Sequence, residues 1–176
     1  MTLLLSERLL LRPVTAEDAD TVIRWRNSDE ARAAFWTTDV VTHDTHRLFL
    51  ATRRAHEYVW MAETIDGDRE RVGMGALTVD VRACEAEWGK IFVGPAYRRG
   101  GYGQEMVKAA LRFAFDVLNL KRVWIEAWAS NTAILAMYRR IGLRDCLRRS
   151  DQPLRERPTA FMEITREMWR AASAAA

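Results

Sequence analysis

Residues 94–106, GPAYRRGGYGQEM, narrow the folds open to this chain more than any other stretch, because of what stands on either side. Before them lies AEWGKIFV, a strand-like run. After them Val107, Ala110, Leu111, Ala114 and Leu118 recur at helical spacing and give one apolar face. Strand, glycine loop and helix in that order bring a helix N-terminus to the end of a strand. Gly100, Gly101 and Gly103 let backbone N–H groups crowd around an anion, and Arg98 and Arg99 add charge. A phosphate or pyrophosphate is therefore the natural guest. Two familiar phosphate motifs are excluded: a Walker loop needs Gly-Lys-Ser/Thr where Gly103-Gln104-Glu105 stands, and the dinucleotide fingerprint needs a third small residue where Met106 stands.

The remaining elements follow from periodicity and punctuation. RLLLRPV reads as a strand closed by Pro13, and Thr15 is placed to cap a helix with Glu17 and Asp18 in its first turn. That helix carries Ala19, Val22, Ile23 and Trp25 and ends near RNSDE; a second covers about Thr45 to Arg54. YVWMAETI, RVGMGALTVDV and AEWGKIFV form an antiparallel meander, with turns at Asp66-Gly67 and Arg82 to Glu85. RVWIEAWA is a further strand, and Ser130-Asn131 caps a helix that Gly142 stops after Ile141. Leu143 to Leu147 and TAFMEITREMW read as a closing pair of strands, joined by an arginine-rich connection through Pro153 and Pro158. The expected fold is a single α/β domain over residues 1–170, with a mixed, mostly antiparallel sheet of about seven strands flanked by helices. An Ala-rich tail, 171–176, is expected to fray.

Composition bounds the function. With 176 residues, 49% of them apolar, the chain can bury one full core. No apolar run approaches the roughly 18 to 20 residues that span a bilayer. The opening MTLLLSERLLLRPVT lacks the continuous apolar stretch of a signal peptide, so a cytoplasmic protein without membrane contact is expected. Cys84 and Cys146 are too few for a disulfide framework. His43 and His46 share a helical face near Asp44 but lack the partners of a zinc site, so no metal is expected. A net charge of +3, carried almost wholly by arginine, suits phosphates or carboxylates. The arginines are interleaved with acids and form no basic tract, which argues against nucleic acid. Oligomeric state is not fixed by any of this, and a homodimer is left open.

Two blocks, AEWGKIFVGPAYRRGGYGQEM and KRVWIEAWASNTAILAMYRRIGLR, resemble the core of the GNAT acetyltransferases. The first carries the Arg/Gln-x-x-Gly-x-Gly/Ala signature as Arg98-Arg99-Gly100-Gly101-Tyr102-Gly103, and the second the strand, Asn, helix, Tyr pattern through Asn131, Tyr138 and Gly142-Leu143. The resemblance implies acetyl-CoA as co-substrate. Its pyrophosphate would lie on the amides from Arg99 to Gln104, and its pantetheine arm would pair with Ile91-Phe92-Val93 if the sheet splays there. Asn131 and Tyr138 lie seven residues apart on one helix face, about 10 Å at 1.5 Å per residue. Tyr138 would serve as the acid for the departing thiolate and Asn131 would reach the pantetheine. Asn131 as a helix cap only, and Tyr138 as a core aromatic only, are the alternatives.

The acceptor amine is protonated at neutral pH and needs a base. Period-2 alternation places Glu87, Gly89, Ile91 and Val93 on one face of the strand and Trp88, Lys90 and Phe92 on the other, which makes Glu87 the candidate. Glu85 lies in the turn and Glu126 on the neighbouring strand. For the acceptor, Arg-Asn after the first helix, Phe35-Trp36, and the spacing of Thr42 and His46 resemble the nucleotide-linked aminosugar acetyltransferases of pseudaminic acid biosynthesis. That resemblance implies a small-molecule amine, with Trp36 for stacking, Arg26 for phosphate and His46 at the same site. The opening ERLLLRPVTAEDAD is also similar to ribosomal-protein N-terminal and spermidine acetyltransferases, and a non-catalytic CoA-binding module is a further alternative.

Overall fold

In the computed structural model, which describes residues 2–148 and 155–174, the N-terminal leucines form two strands. The Ser6 N–H bonds to the Leu9 carbonyl and reverses the chain, so β1 (Leu4–Leu5) lies antiparallel to β2 (Leu9–Pro13). This is the eighth strand where about seven are expected. Past β2, the Asp18 carboxylate accepts from the Thr15 N–H at 2.9 Å and closes a tight turn over Ala16–Asp18 that leads into α1 (Ala19–Arg26). Asp18 is fully buried, yet Arg12 and Arg71 each reach it at 2.8 Å, and this pairing keeps its charge tolerable. A short helix that periodicity does not reveal, α2 (Asp29–Ala34), starts where the Ser28 hydroxyl accepts from the Ala31 N–H. Helix α3 (His43–Ala51) begins two residues earlier than expected, because Thr42 and Thr45 cap each other reciprocally.

The meander is present as β3 (Glu57–Thr64), β4 (Arg71–Asp80) and β5 (Glu85–Val93). Next come α4 (Tyr102–Arg112), extended by one wide turn over Phe113–Val117, then β6 (Arg122–Trp128) and α5 (Thr132–Ile141). The left-handed stop falls at Gly142, with φ 112°. Strands β7 (Arg144–Cys146) and β8 (Thr159–Thr165) close the sheet; the connection expected through Pro153 lies outside the described residues over 149–154. TREMW departs from expectation. Strand pairing ends at Thr165, and Arg166–Ala174 form helix α6, whose Met168 and Trp169 pack on the core. The helix also carries residues 171–174, read from sequence as tail.

Among the described residues the eight strands run β1-β2-β3-β4-β5-β6-β8-β7, and only β5–β6 is parallel. Helices α4, α5 and α6 cover one face, where Trp60, Trp88, Met106, Leu111, Ile125 and Tyr138 share a core. On the opposite face Val22, Trp25 and Ala31 from α1 and α2 pack on Val59, Met61, Met74 and Phe92. Each fully buried residue of leucine or tryptophan size contributes roughly 1.5–3 kcal/mol, so the two cores hold the sheet rigidly from both sides. None of the described helices is long and apolar enough to cross a membrane.

Candidate active site

The sheet opens at its one parallel pairing. Strand β5 pairs with β6 only through Glu85, Ala86 and Glu87, opposite Arg122, Val123 and Trp124. Beyond Glu87 the two strands diverge, β6 staying with β8 and β5 with β4. One edge of β5 therefore presents backbone N–H and C=O groups to a cleft, which is the splay that pairing with an amide-bearing arm requires. A bulge in β5 sharpens it. Met74 pairs with Phe92 and Ala76 with Gly89, so β5 carries one extra residue, and Lys90 takes φ 51° to absorb it.

The bulge corrects the alternation read from sequence. Glu87 and Gly89 face α1 and α2, but parity then switches: Phe92 joins that same side, while Ile91 and Val93 turn with Trp88 toward α4. The cleft thus has Glu87 on one face and Ile91 on the other. Glu87, Gly89, Trp36, Trp88, Asn131 and Tyr138 all line a cavity of about 190 Å³ between β5 and β6.

At the foot of the cleft stands the glycine loop. Gly101 takes φ 81° and Arg99 φ 65°, and α4 begins with no side-chain cap. The N–H groups of residues 99–104 make no backbone or side-chain hydrogen bond among the described residues; the first satisfied amide is Glu105, bonded to the Gly101 carbonyl at 3.1 Å. Six free donors at the positive end of an 11-residue helix fit a pyrophosphate. Arg98 contributes less than expected, since its guanidinium lies 3.4 Å from Glu30 and donates to the Val93 carbonyl.

Tyr138 is buried, and burial pushes its hydroxyl well above the usual phenol range, so it stays protonated and able to donate. The neighbouring Trp88 indole N–H is buried and makes no hydrogen bond among the described residues. Asn131 is indeed the helix cap, its Oδ1 accepting from the Ile134 N–H at 3.3 Å, yet it lines the same cavity. Burial raises the Glu87 pKa above the ordinary carboxylate value; Lys90 pulls it down and Glu126 pushes it up. Glu87 carries no ion pair among the described residues, whereas Glu126, which lines the same cavity, is held by Arg155 at 3.1 and 3.2 Å. Glu85 is tied to Arg122 at 2.8 Å. Of the three carboxylates, Glu87 alone is free to take a proton.

Arg26, Trp36 and His46 line a second cavity of about 300 Å³, which shares Phe35, Trp36 and Lys90 with the first. His46 sits on α3 one turn after its cap, its N–H bonded to the Thr42 carbonyl at 2.9 Å, and is buried. Trp25, by contrast, is plain core against Phe92.

The acetyltransferase (GNAT) domain family matches residues 8–144, which includes the loop, the cleft and the capped helix. The chain belongs to the GNAT acetyltransferases. It is similar, at 27% identity over 124 residues, to the ribosomal protein bS18-alanine N-acetyltransferase of Salmonella typhimurium; the match covers 64% of this chain and 83% of that one. Its fold is similar to that of the Vibrio cholerae spermidine N-acetyltransferase crystallised with CoA and spermine, with a TM-score of 0.81, 17% identity, and 94% and 99% of the two chains covered. A GCN5-related N-acetyltransferase from Brucella melitensis also gives 0.81, at 20% identity over 99% and 83%.

GNAT enzymes use acetyl-CoA as co-substrate, and the groups of this domain that could hold it are the free amides at 99–104, the open β5 edge, and Tyr138 across the cleft. Sequence reasoning missed two supports of the site. Arg8 binds the Glu105 carboxylate at 2.7 Å and the Gly100 carbonyl at 3.1 Å, tying the β1–β2 turn to the loop. Arg155 clamps Glu126 and lies 4.4 Å over the Trp36 ring, which meets Trp128 edge-on at 4.4 Å. No local pattern marks either one, because Arg8 and Glu105 are 97 residues apart and Arg155 and Glu126 are 29 apart.

Proposed function

We propose that the chain moves the acetyl group of acetyl-CoA to the primary amine of a small molecule by direct attack with both substrates bound. The observation that carries this reading is that Glu87 and Tyr138 reach one cavity from opposite faces of the sheet. Acetyl-CoA supplies the thioester, and the chain's own groups do the rest. Glu87, unpaired and with a raised pKa, removes the proton that an amine of pKa near 10 carries at neutral pH, directly or through water. The open edge of β5 directs N–H groups at negative charge developing on the carbonyl oxygen. Tyr138 donates to the departing sulfur. The burial that disfavours its phenolate disfavours a bare thiolate beside it as well, so the proton is shared where it is needed.

An amino sugar or nucleotide-linked amino sugar is the acceptor we favour, supported by the half-buried Trp36 and by Arg26 beside it. Arg155 already covers part of Trp36, which narrows the stacking surface. A second reading, acetylation of a protein N-terminus, is supported by the similarity to the bS18-alanine enzyme. The similarity in fold to a spermidine enzyme suggests a polyamine, but no carboxylate lines the cavity around Arg26 to receive one. A non-catalytic module would have no use for a Glu87 that has no ion pair among the described residues and lines one cavity with Tyr138. CoA release measured across amino sugars, nucleotide-linked amino sugars, alanyl peptides and spermidine tests all of these. Turnover on the sugars is expected. Turnover confined to the peptides would select the second reading, and tight CoA binding without turnover on any amine would overturn the enzyme reading.

A further inference from the structure

Five buried side-chain nitrogens among the described residues lack a hydrogen-bond partner, and two of them, Arg26 Nη1 and His46 Nε2, line the same cavity. The others are accounted for differently. Arg122 Nε belongs to a guanidinium already paired with Glu85 and Glu163, and the Trp88 and Trp128 indoles border the cleft.

Arg26 makes no ion pair among the described residues. Its guanidinium is stacked on the Phe35 ring at 3.4 Å, and burial pulls its pKa below the usual arginine value. His46 is 3% exposed. Lys90, the remaining cation among the described lining, is engaged by Glu57, and no carboxylate of the described residues lines the space. The rest of the wall is largely apolar, including Val22, Phe49 and Met74. A guanidinium withdrawn from water without a counter-charge costs free energy that a bound anion offsets. The planar fork of arginine suits a carboxylate or a phosphate, and a neutral imidazole adds one N–H donor. This cavity shares Phe35, Trp36 and Lys90 with the one holding Glu87, so the two adjoin.

We propose that the Arg26–His46 cavity is the anion subsite of the acceptor, which is therefore a bipolar molecule with its primary amine at Glu87 and a carboxylate or phosphate at Arg26 and His46. The amine end rests on the acetyl-transfer reading; the anion end rests on Arg26 and His46 alone. A polyamine meets the opposite arrangement, presenting ammonium groups to a wall that already holds two cations.

The test uses the full chain with acetyl-CoA and four amines: butylamine, 4-aminobutyrate, 3-aminopropyl phosphate and spermidine. The better of the two anion-bearing amines is expected to exceed butylamine in kcat/KM by about 10- to 100-fold, the range of a charge-assisted hydrogen bond. Which of the two leads tells carboxylate from phosphate. Arg26→Gln is expected to bring that ratio toward one. A wild-type ratio near one, spermidine in the lead, or a ratio that Arg26→Gln leaves intact overturns the proposal, even where acetyl transfer itself is sound. Should none of the amines react, thermal protection by inorganic phosphate or acetate decides. Protection lost in Arg26→Gln upholds the anion subsite and leaves acetyl transfer to be judged on the amino-sugar and peptide acceptors; equal protection, or none, overturns the subsite.

Discussion

The two halves of the cleft present polar groups of different kinds. At residues 99–104 the donors are backbone amides, fixed by the positive φ of Arg99 and Gly101 and buttressed by the Arg8–Glu105 pair. Around Arg26, Trp36 and His46 the chemistry lies in side chains from α1, from the loop after α2, and from α3, with polar atoms left unpaired. Backbone donors recognise a group that every member of a family shares, since any sequence that keeps the conformation keeps the donors. Side chains recognise what is particular to one substrate, and each can be replaced without disturbing the loop. If this division holds, substitutions in one half change the kinetics of one substrate and spare those of the other.

The sharpest challenge is Glu87→Gln. The loss of a general base predicts a fall in kcat of about 10²- to 10³-fold, with the affinity for CoA, measured by calorimetry, within about twofold. The acid limb of the wild-type profile is expected above the ordinary glutamate value, because burial raises the Glu87 pKa. Activity is lost as pH falls through that value, and in Glu87→Gln the limb should vanish. A limb that survived would assign it to another group. Tyr138→Phe follows, at about 10- to 100-fold in kcat/KM with the acid limb retained. An unchanged rate on a confirmed acceptor would remove Tyr138 from the chemistry.

Gly101→Val probes the backbone half. A β-branched residue at φ 81° distorts the nest, so KM for acetyl-CoA should rise about 10-fold or more, with the acceptor's KM moving less than about twofold. A parallel rise in both would show that the halves are not separable. Asn131→Ala removes a cap worth about 1 kcal/mol, which lowers Tm by roughly 2–4 °C in a chain of this size. A loss of acetyl-CoA affinity beyond that would show that Asn131 also binds the arm. The smallest effect concerns Glu105. Burial alone would raise its pKa, but the Arg8 N–H, the Ser6 hydroxyl and the Arg8 guanidinium together hold it below the usual value. Its contribution to stability is therefore present above about pH 4.3 and lost as pH falls through the lower folded-state value. Glu105→Gln should flatten urea-melt stability over that acid window.

Much of this division was legible in the sequence. The loop, Asn131 and Gly142 are local signals, in which a few adjacent residues dictate one backbone conformation, and the meander announces itself by turns and alternation. The face of Ile91 was not legible. It depends on Lys90 adopting a left-handed conformation that lysine seldom takes, and once that residue is inserted every later side chain changes sides. Helix α2 has six residues, too few for periodicity to register, and α6 follows β8 with no glycine or proline between them. Glu87 was a candidate by position, but its advantage over Glu126 depends on Arg155, whose partner only the folded chain reveals.

The sheet's outer margins are short. Strand β1 has two residues and β7 has three, so neither end of the sheet offers much backbone to a foreign strand. The longer unpaired strand edge runs along the interior, on β5 past Glu87. A protein that seals its rim and keeps its stickiest backbone inside a narrow slot resists aggregation, and it also selects its guest by cross-section. A thin chain carrying amides can thread the slot as an added strand, and a folded polypeptide cannot.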